Sequence, residues 1–363
     1  MFALPEAASS PARDRRVRVM VVDDSAIVRG LIVQTLERDP ALSIVARAAN
    51  GEAALSELAR TTVDVVVLDI EMPVMDGLTA LPLILQRQPE VKVVMASTLT
   101  RRNARISLQA LQAGAADYVP KPETGGLVGA EDFARELTAK VKALGQSRGQ
   151  AIPTATAPAA APPVVRPATL SPPVRPQVVA IGGSTGAPPA LMSLVADLKG
   201  ELEQAVLLTQ HMPPTFTAML AEQLERAGGR PAAEARDGEP VLPGRIYVAP
   251  GGWHMTVGRS GQVPVIRLNQ EPPEHFCRPS VDPMLRSAAA VYGPGLLAVI
   301  LTGMGSDGAE GCRAVAEAGG RFIVQDEATS VVWGMPGAAA KTGLAEAVLP
   351  LNRIAPWVRR ACA

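Results

Sequence analysis

Apolar residues along this chain come in short, nearly unbroken runs, and each run ends on a polar or glycine-rich step. In the first third the runs lie at 19–22, 63–68, 91–96 and 115–119. Runs rich in Val and Ile, without clear alternation, predict strands buried on both faces. Between them, 27–36, 53–58 and 106–112 place apolar residues at helical spacing. Strand alternating with helix predicts βαβ units around a parallel sheet. The same pattern returns at 178–181, 205–209, 245–248, 296–301 and 321–324. From 145 to 176 the chain turns to Ala, Pro, Thr, Val and Gln with almost no period. Such a stretch cannot bury a core and reads as a stiff, polyproline-biased linker, ~3.1 Å per residue where extended. The expected division is a loose extension at 1–16, an α/β domain at 17–144, a linker at 145–176 and a second α/β domain at 177–363. Each domain is expected to be a doubly wound parallel sheet.

Composition fits this division. A length of 363 residues suits two domains. Hydrophobic residues make up 47% but aromatics only 3%, so Val, Ala, Leu and Ile must fill the cores. Net charge is zero, which gives no basic field for nucleic acid or a membrane surface. The cysteines, Cys277, Cys312 and Cys362, offer neither a disulfide framework nor metal-ligand spacing, and a reducing, cytoplasmic setting is the simpler reading. No apolar run approaches the ~18 residues of a membrane span. The first sixteen residues lack the charged-then-apolar order of a secretory signal.

The second domain carries a serine in a special place. Gly182-Gly183-Ser184-Thr185-Gly186 follows the run at 178–181 directly. A glycine-flanked serine between strand and helix can be a nucleophile on a sharp turn, backed by unpaired helix N–H groups. The same turn also suits a phosphate. A serine nucleophile needs a base. Of the three histidines, His211 follows the run at 205–209, beside the strand that carries Ser184, whereas His254 and His275 read as structural residues or pocket lining. The base needs an orienting acceptor. Asp307, in Thr302-Gly303-Met304-Gly305-Ser306-Asp307-Gly308, follows the run at 296–301. That loop reads equally as an ordinary turn or a second phosphate cradle. Ligands of open α/β sheets bind beyond the carboxyl ends of strands, and Ser184, His211 and Asp307 all fall there. The order Ser, His, Asp differs from that of α/β-hydrolases, so that fold is not expected.

The first domain gathers acids. Asp23 and Asp24 follow one strand and Asp69 another. Three carboxylates at one sheet edge repel unless a cation intervenes, and Mg²⁺ with oxygen ligands fits. Lys121 ends a further strand and can meet an added phosphate as a point charge. The plainer alternative is a set of solvated turn acids.

Here two resemblances enter. Val21-Val22-Asp23-Asp24-Ser25, Leu68-Asp69-Ile70-Glu71-Met72-Pro73-Val74-Met75-Asp76-Gly77 and Val119-Pro120-Lys121-Pro122 resemble a response-regulator receiver domain, which is flavodoxin-like. The resemblance implies Asp69 as phosphoacceptor. It implies Mg²⁺ on Asp23, Asp24, Asp69 and the Glu71 carbonyl, with Ser97 as switch hydroxyl, Tyr118 as switch aromatic and Lys121 as phosphoryl ligand. The serine turn, Gln210-His211-Met212-Pro213-Pro214, Tyr247-Val248-Ala249-Pro250-Gly251-Gly252, Arg278-Pro279-Ser280-Val281-Asp282-Pro283 and the Asp307 loop resemble the catalytic domain of the chemotaxis protein-glutamate methylesterases. That resemblance covers nearly all of 177–355 and implies a Rossmann-like three-layer fold. One departure is visible. The family often reads Gly-Ala-Ser-Thr-Gly-Gly at the turn, and Gly183 and Ala187 stand here at the second and last places.

The implied activity is hydrolysis of glutamate methyl esters on methyl-accepting chemoreceptors, with release of methanol, and deamidation of receptor glutamines. Ser184 is then nucleophile, His211 base and Asp307 its orienter, with the N–H groups of Thr185 and Met304 as candidate oxyanion donors. No cofactor is implied for this step. The partners implied are the receptors and a histidine kinase as phosphodonor, in a two-component pathway. Nucleic acid and membrane insertion are not expected. A cytoplasmic monomer, recruited to receptor clusters and blocked by its unphosphorylated receiver, completes the expectation. Two rivals are a nucleotide-binding module and a transcriptional regulator. No lysine follows the glycine loop, and no helix-turn-helix is recognisable.

Overall fold

The computed structural model describes residues 16–98, 100–121, 130–147 and 174–363. The expected extension at 1–16 and linker at 145–176 lie almost wholly outside the described residues. Five strands, β1 (Val17–Val22), β2 (Leu42–Ala48), β3 (Val65–Asp69), β4 (Lys92–Ser97) and β5 (Asp117–Pro120), alternate with α1 (Ala26–Glu37), α2 (Gly51–Leu58), α3 (Gly77–Arg87), α4 (Arg101–Gln112) and α5 (Ala130–Gln146). The strands pair in parallel in the order β2-β1-β3-β4-β5. This is the flavodoxin-like order, with its switch point between β1 and β3. β3 and β4 are buried at every position, as their Val-rich sequences require. Ser25, Asn50 and Asp76 each cap a helix by accepting from the N–H three residues on, which fixes where the loops after β1, β2 and β3 end.

The second region holds β6 (Val178–Gly183), β7 (Ala205–Gln210), β8 (Ala232–Glu234), β9 (Ile246–Val248), β10 (His254–Ser260), β11 (Val263–Asn269), β12 (Leu296–Ile300), β13 (Arg321–Gln325) and β14 (Ala347–Leu349). Its helices are α6 (Ala187–Asp197), α7 (Phe216–Gly228), α8 (Val281–Tyr292), α9 (Ala309–Glu317), α10 (Met335–Lys341) and α11 (Leu351–Cys362). Seven strands form one parallel sheet, β14-β13-β12-β6-β7-β9-β8, while β10 and β11 pair apart as an antiparallel hairpin. β6 therefore lies between β12 and β7, the strands that precede Asp307 and His211. β2, β8, β14 and the hairpin are additions to the sequence expectation. α5 runs two residues past the expected boundary at 144. Arg175 Nε donates to the Cys362 carbonyl at 2.8 Å, so the second domain is anchored slightly before 177.

The two regions touch. The Tyr118 ring stacks on Phe216 with centroids 4.4 Å apart and planes 6° from parallel. Gln112 Nε2 donates to Gln223 Oε1 at 3.2 Å, joining α4 to α7. One apolar cluster runs from Leu68, Met95 and Leu108 through Tyr118 to Phe216 and Leu220. Stacked aromatics add about 0.5–1.5 kcal/mol to the burial of their faces.

Candidate active site and phosphorylation site

On the first sheet, the rim at the carboxyl ends of β1, β3 and β5 brings Asp23, Asp69 and Lys121 together. Lys121 Nζ lies 2.7 Å from Asp23 Oδ2 and 2.7 Å from Asp69 Oδ1. Burial pushes the Asp69 carboxyl up, with Lys121 opposing it. Gly77 lets the chain after β3 fold back closely: a Cβ there would stand 2.0 Å from the Asp69 carbonyl oxygen. Asp23, Asp24 and Asp69 offer oxygens within 4.8 Å of one another. Asp23 Oδ2 is buried and meets Lys121 by charge, without a well-aligned hydrogen bond. A hard divalent cation fits this oxygen set. Ser97 Oγ is buried and lies 3.0 Å from Ser107 Oγ. Tyr118 is buried against the second domain, and its carbonyl accepts from Lys140 Nζ at 2.7 Å.

On the second sheet, the register pairs Gly183 with Gln210. Ser184 and His211 directly follow the ends of these neighbouring strands, whose spacing is about 4.8 Å. The serine turn is pinned on both sides. Ser184 N donates to the Thr302 carbonyl at 3.1 Å, and Gln210 Nε2 donates to the Ser184 carbonyl at 2.9 Å. Gly186 has φ 76°, the left-handed region that suits glycine. A Cβ on Gly183 would meet the Ala187 Cβ at 2.5 Å. The two departures from the family spelling are thus one exchange: the methyl missing at 183 leaves the room that the Ala187 methyl fills.

His211 Nε2 lies 2.7 Å from Asp307 Oδ2. The same Asp307 oxygen accepts from Val281 N at 2.7 Å, and Oδ1 accepts from Asp282 N at 2.9 Å. The acceptor therefore sits on the N-terminus of α8, where N–H groups favour an anion. Burial works to raise the Asp307 carboxyl, but His211 and the two N–H groups outweigh it and hold it down to about 2. Burial works to lower the His211 imidazole, but Cys277 and Asp307 push it up to about 10. The second ring nitrogen, Nδ1, faces Cys277 Sγ at 3.4 Å. Ser184 Oγ makes no hydrogen bond among the described residues, so the structure joins His211 to Asp307 directly and brings Ser184 beside them by register. His254 is buried between Ser280 N and the Pro272 carbonyl, a structural histidine. His275 pairs with Asp282 at 2.8 Å.

The first domain closes on this rim. Thr185 Oγ1, next to Ser184, donates to Asp117 Oδ2 of β5 at 2.6 Å. Asp117 is also 3.2 Å from Lys140 Nζ. Val332 is buried in the apolar cluster of β1, β3 and α5, with Met304 and Val331 packed against it. The Arg135 guanidinium stands 4.8 Å from the ring centroid of Phe276. Asp117 and Cys277 both escaped sequence reasoning. An acid inside a strand and a half-buried thiol carry no periodic signal that points across a domain interface.

Comparison with known proteins agrees with this layout. A family model described as CheB methylesterase matches residues 179–358, and one described as response regulator receiver domain matches 19–128. The protein-glutamate methylesterase/protein-glutamine glutaminase 1 of Paramagnetospirillum magneticum is 52% identical over 98% of this chain and 98% of its own length. The chain belongs to the protein-glutamate methylesterase/protein-glutamine glutaminase family. A member from Azospirillum brasilense is 53% identical over 95% of this chain and 92% of its own. The crystal structure of the Thermotoga maritima CheB methylesterase catalytic domain is 37% identical, covers 52% of this chain and 99% of that one, and superposes with a TM-score of 0.50. A receiver joined to a methylesterase domain is therefore the architecture here, and both domains are α/β with parallel sheets. No helix among the described residues is long and apolar enough to cross a membrane.

Proposed function

We propose that this chain removes methyl groups from glutamate side chains of chemoreceptors through Ser184, His211 and Asp307, under control of phosphorylation at Asp69. The observation that carries this is the His211–Asp307 bond of 2.7 Å, one strand from Ser184. In the neutral ring, Asp307, anchored on α8, holds the proton on Nε2 and leaves Nδ1 as the proton acceptor. Ser184 Oγ attacks the ester carbonyl as Nδ1 takes its proton. The tetrahedral oxyanion faces the N–H groups of Thr185 and Met304, neither of which has an acceptor among the described residues. One such donor is worth about 2.7–4 kcal/mol of barrier. Collapse expels methoxide, which takes the proton from Nδ1 and leaves as methanol. Water then adds by the same proton route and regenerates the serine. With a glutamine substrate the leaving group is ammonia.

Control runs through β5. Asp117, Tyr118 and Lys121 lie within five residues, so one short strand links the phosphorylation rim to the contact on Thr185. Asp23, Asp24, Asp69 and the Glu71 carbonyl would hold Mg²⁺, which shields phosphoryl charge when bound. A phosphoryl group on Asp69 adds about two negative charges. Lys121 and Ser97 are drawn toward it, and the bonds that hold β5 against the serine turn are strained. A histidine kinase supplies the phosphoryl group, and recruitment to receptor clusters brings the substrate. The test is methanol release from methylated receptor with and without phosphodonor. Phosphodonor is expected to accelerate release, and folded Ser184→Ala is expected to release none; turnover by that variant removes the triad.

A further inference from the structure

The His211 ring is gripped from two sides. Nε2 meets Asp307 at 2.7 Å, and Nδ1 meets Cys277 Sγ at 3.4 Å. The Asp307 oxygens already accept N–H groups from Val281 and Asp282, so a carboxylate there takes the ring proton on Nε2. Nδ1 is left with a single lone pair. A base for Ser184 must use that lone pair, and a thiol stands on it. Ser184 Oγ has no hydrogen-bond partner among the described residues, although its backbone is pinned at both ends. The lone pair that the triad reading assigns to Ser184 is held here by the thiol.

The turn that presents Cys277 is built for this position. His275 and Phe276 both adopt left-handed backbone, at φ 53° and 61°, which side-chain-bearing residues rarely take. The turn is held closed by Cys277 N donating to the Glu274 carbonyl at 2.8 Å and by His275 on Asp282 at 2.8 Å. Arg286 Nη1 grips Glu274 Oε2 at 3.0 Å. Of the other two thiols, Cys312 of α9 is buried within the field of Asp282 and Asp307, and Cys362 is buried in α11.

We propose that Cys277 is a positioning residue for the esterase reaction: its thiol occupies the lone pair of the His211 base at rest and must release it before Ser184 is activated. The proposal rests on the Ser184–His211–Asp307 reading and deepens it. Two states of the pair hold the base back. In one, the S–H donates to Nδ1. In the other, the proton has moved from Sγ to Nδ1, leaving a thiolate beside an imidazolium whose nitrogens are both protonated. No other reactant is needed. Asp307 and Cys277 touch the ring, with Asp282 and His275 behind Asp307. Arg286 lies at the base of the turn, and Arg135 of α5 stands over Phe276 at its tip. In the thiolate–imidazolium state the sulfur charge helps push the imidazole up, so losing the thiol lets the base form persist to lower pH.

The experiment is kcat/KM for methanol release against pH, on full-length protein treated with phosphodonor, for wild type, Cys277→Ala, Cys277→Ser and Ser184→Ala. Cys277→Ala is expected to be about two- to tenfold faster, the range of an ordinary net hydrogen bond, with its rising limb moved to lower pH. Cys277→Ser is expected to move the limb similarly but gain less, because a hydroxyl still donates to Nδ1. An inactive Ser184→Ala beside a Cys277→Ala with unchanged or lower rate and an unmoved limb overturns the thiol's role and leaves the triad standing. An active Ser184→Ala beside an inactive Cys277→Ala makes the thiol the nucleophile and overturns both.

Discussion

Thr185→Val isolates the contact through which the receiver holds the catalytic rim. The substitution keeps the side-chain shape and the backbone N–H beside Ser184, and removes only the hydroxyl that donates to Asp117 Oδ2 at 2.6 Å. Asp117 keeps Lys140 Nζ at 3.2 Å and the Tyr118 N–H at 2.8 Å, so the carboxylate is not orphaned. A hydrogen bond to a charged acceptor contributes about 1.5–3 kcal/mol net, and with two partners remaining the lower part of that range, roughly 1.5–2 kcal/mol, applies. That is about a 10- to 30-fold shift of the docking equilibrium toward release. Methanol release from methylated receptor, measured without phosphodonor, is expected to rise by up to that factor. With saturating phosphodonor the variant and the wild type are expected to converge, because the latch is already open. An equal fall in both rates would place Thr185 in the reaction itself, and unchanged basal activity would show that Asp117 restrains nothing.

Gly183→Ala is expected to destabilise the second domain by about 1–3 kcal/mol, the usual cost of overpacking, because its methyl would stand 2.5 Å from Ala187 Cβ. Adding Ala187→Gly is expected to return most of that loss in denaturant unfolding, and a strictly additive double variant refutes the exchange. Asp69→Asn is expected to abolish stimulation by phosphodonor while leaving basal methanol release; chelation of Mg²⁺ is expected to do the same to the wild type. The His211–Asp307 pair sets a pH window. Asp307, held down to about 2 from 3.8, contributes stability above 3.8 that is lost as pH falls toward 2. His211, pushed up to about 10 from 6.5, contributes stability below 6.5 that is lost as pH rises toward 10. The stability gap between wild type and Asp307→Asn is therefore expected to be widest between 3.8 and 6.5 and to narrow on both sides, as unfolding titrations can check.

Buried parallel strands announce themselves, because both faces must be apolar. β3, β4, β6, β7 and β12 are legible for that reason, and with them the rims where Asp69, Ser184, His211 and Asp307 emerge. β2 is harder to see. It lies at the sheet edge with a mixed burial pattern, and its Ser and Arg interrupt the run. β8 and β14 span three residues each, too short for any period. The β10–β11 hairpin is antiparallel and stands outside the parallel sheet, so the repeat of buried runs does not mark it. In the site, the His211–Asp307 pair follows from strand ends meeting at one rim. Cys277 on Nδ1 and Asp117 on Thr185 are set by a strained turn and by the docking of one domain on another, and neither leaves a mark in local spacing. In the sequence Gly183 and Ala187 are two separate departures, and only the 2.5 Å approach shows them to be one exchange.

β5 and α5 lie against Thr185 and Phe276, beside Ser184, so on the proposed function they cover ground that a receptor helix would need to reach the serine. On that reading receiver and substrate compete for a single footprint. Anything that binds the released form draws the population toward it, so on the same reading crowded receptors would open the enzyme by mass action. Thermodynamic linkage makes the coupling reciprocal: if Asp69 phosphorylation favours substrate binding, then bound substrate favours the phosphorylated receiver by the same factor. Sensitivity to the kinase would accordingly be greatest where methylated receptor is densest.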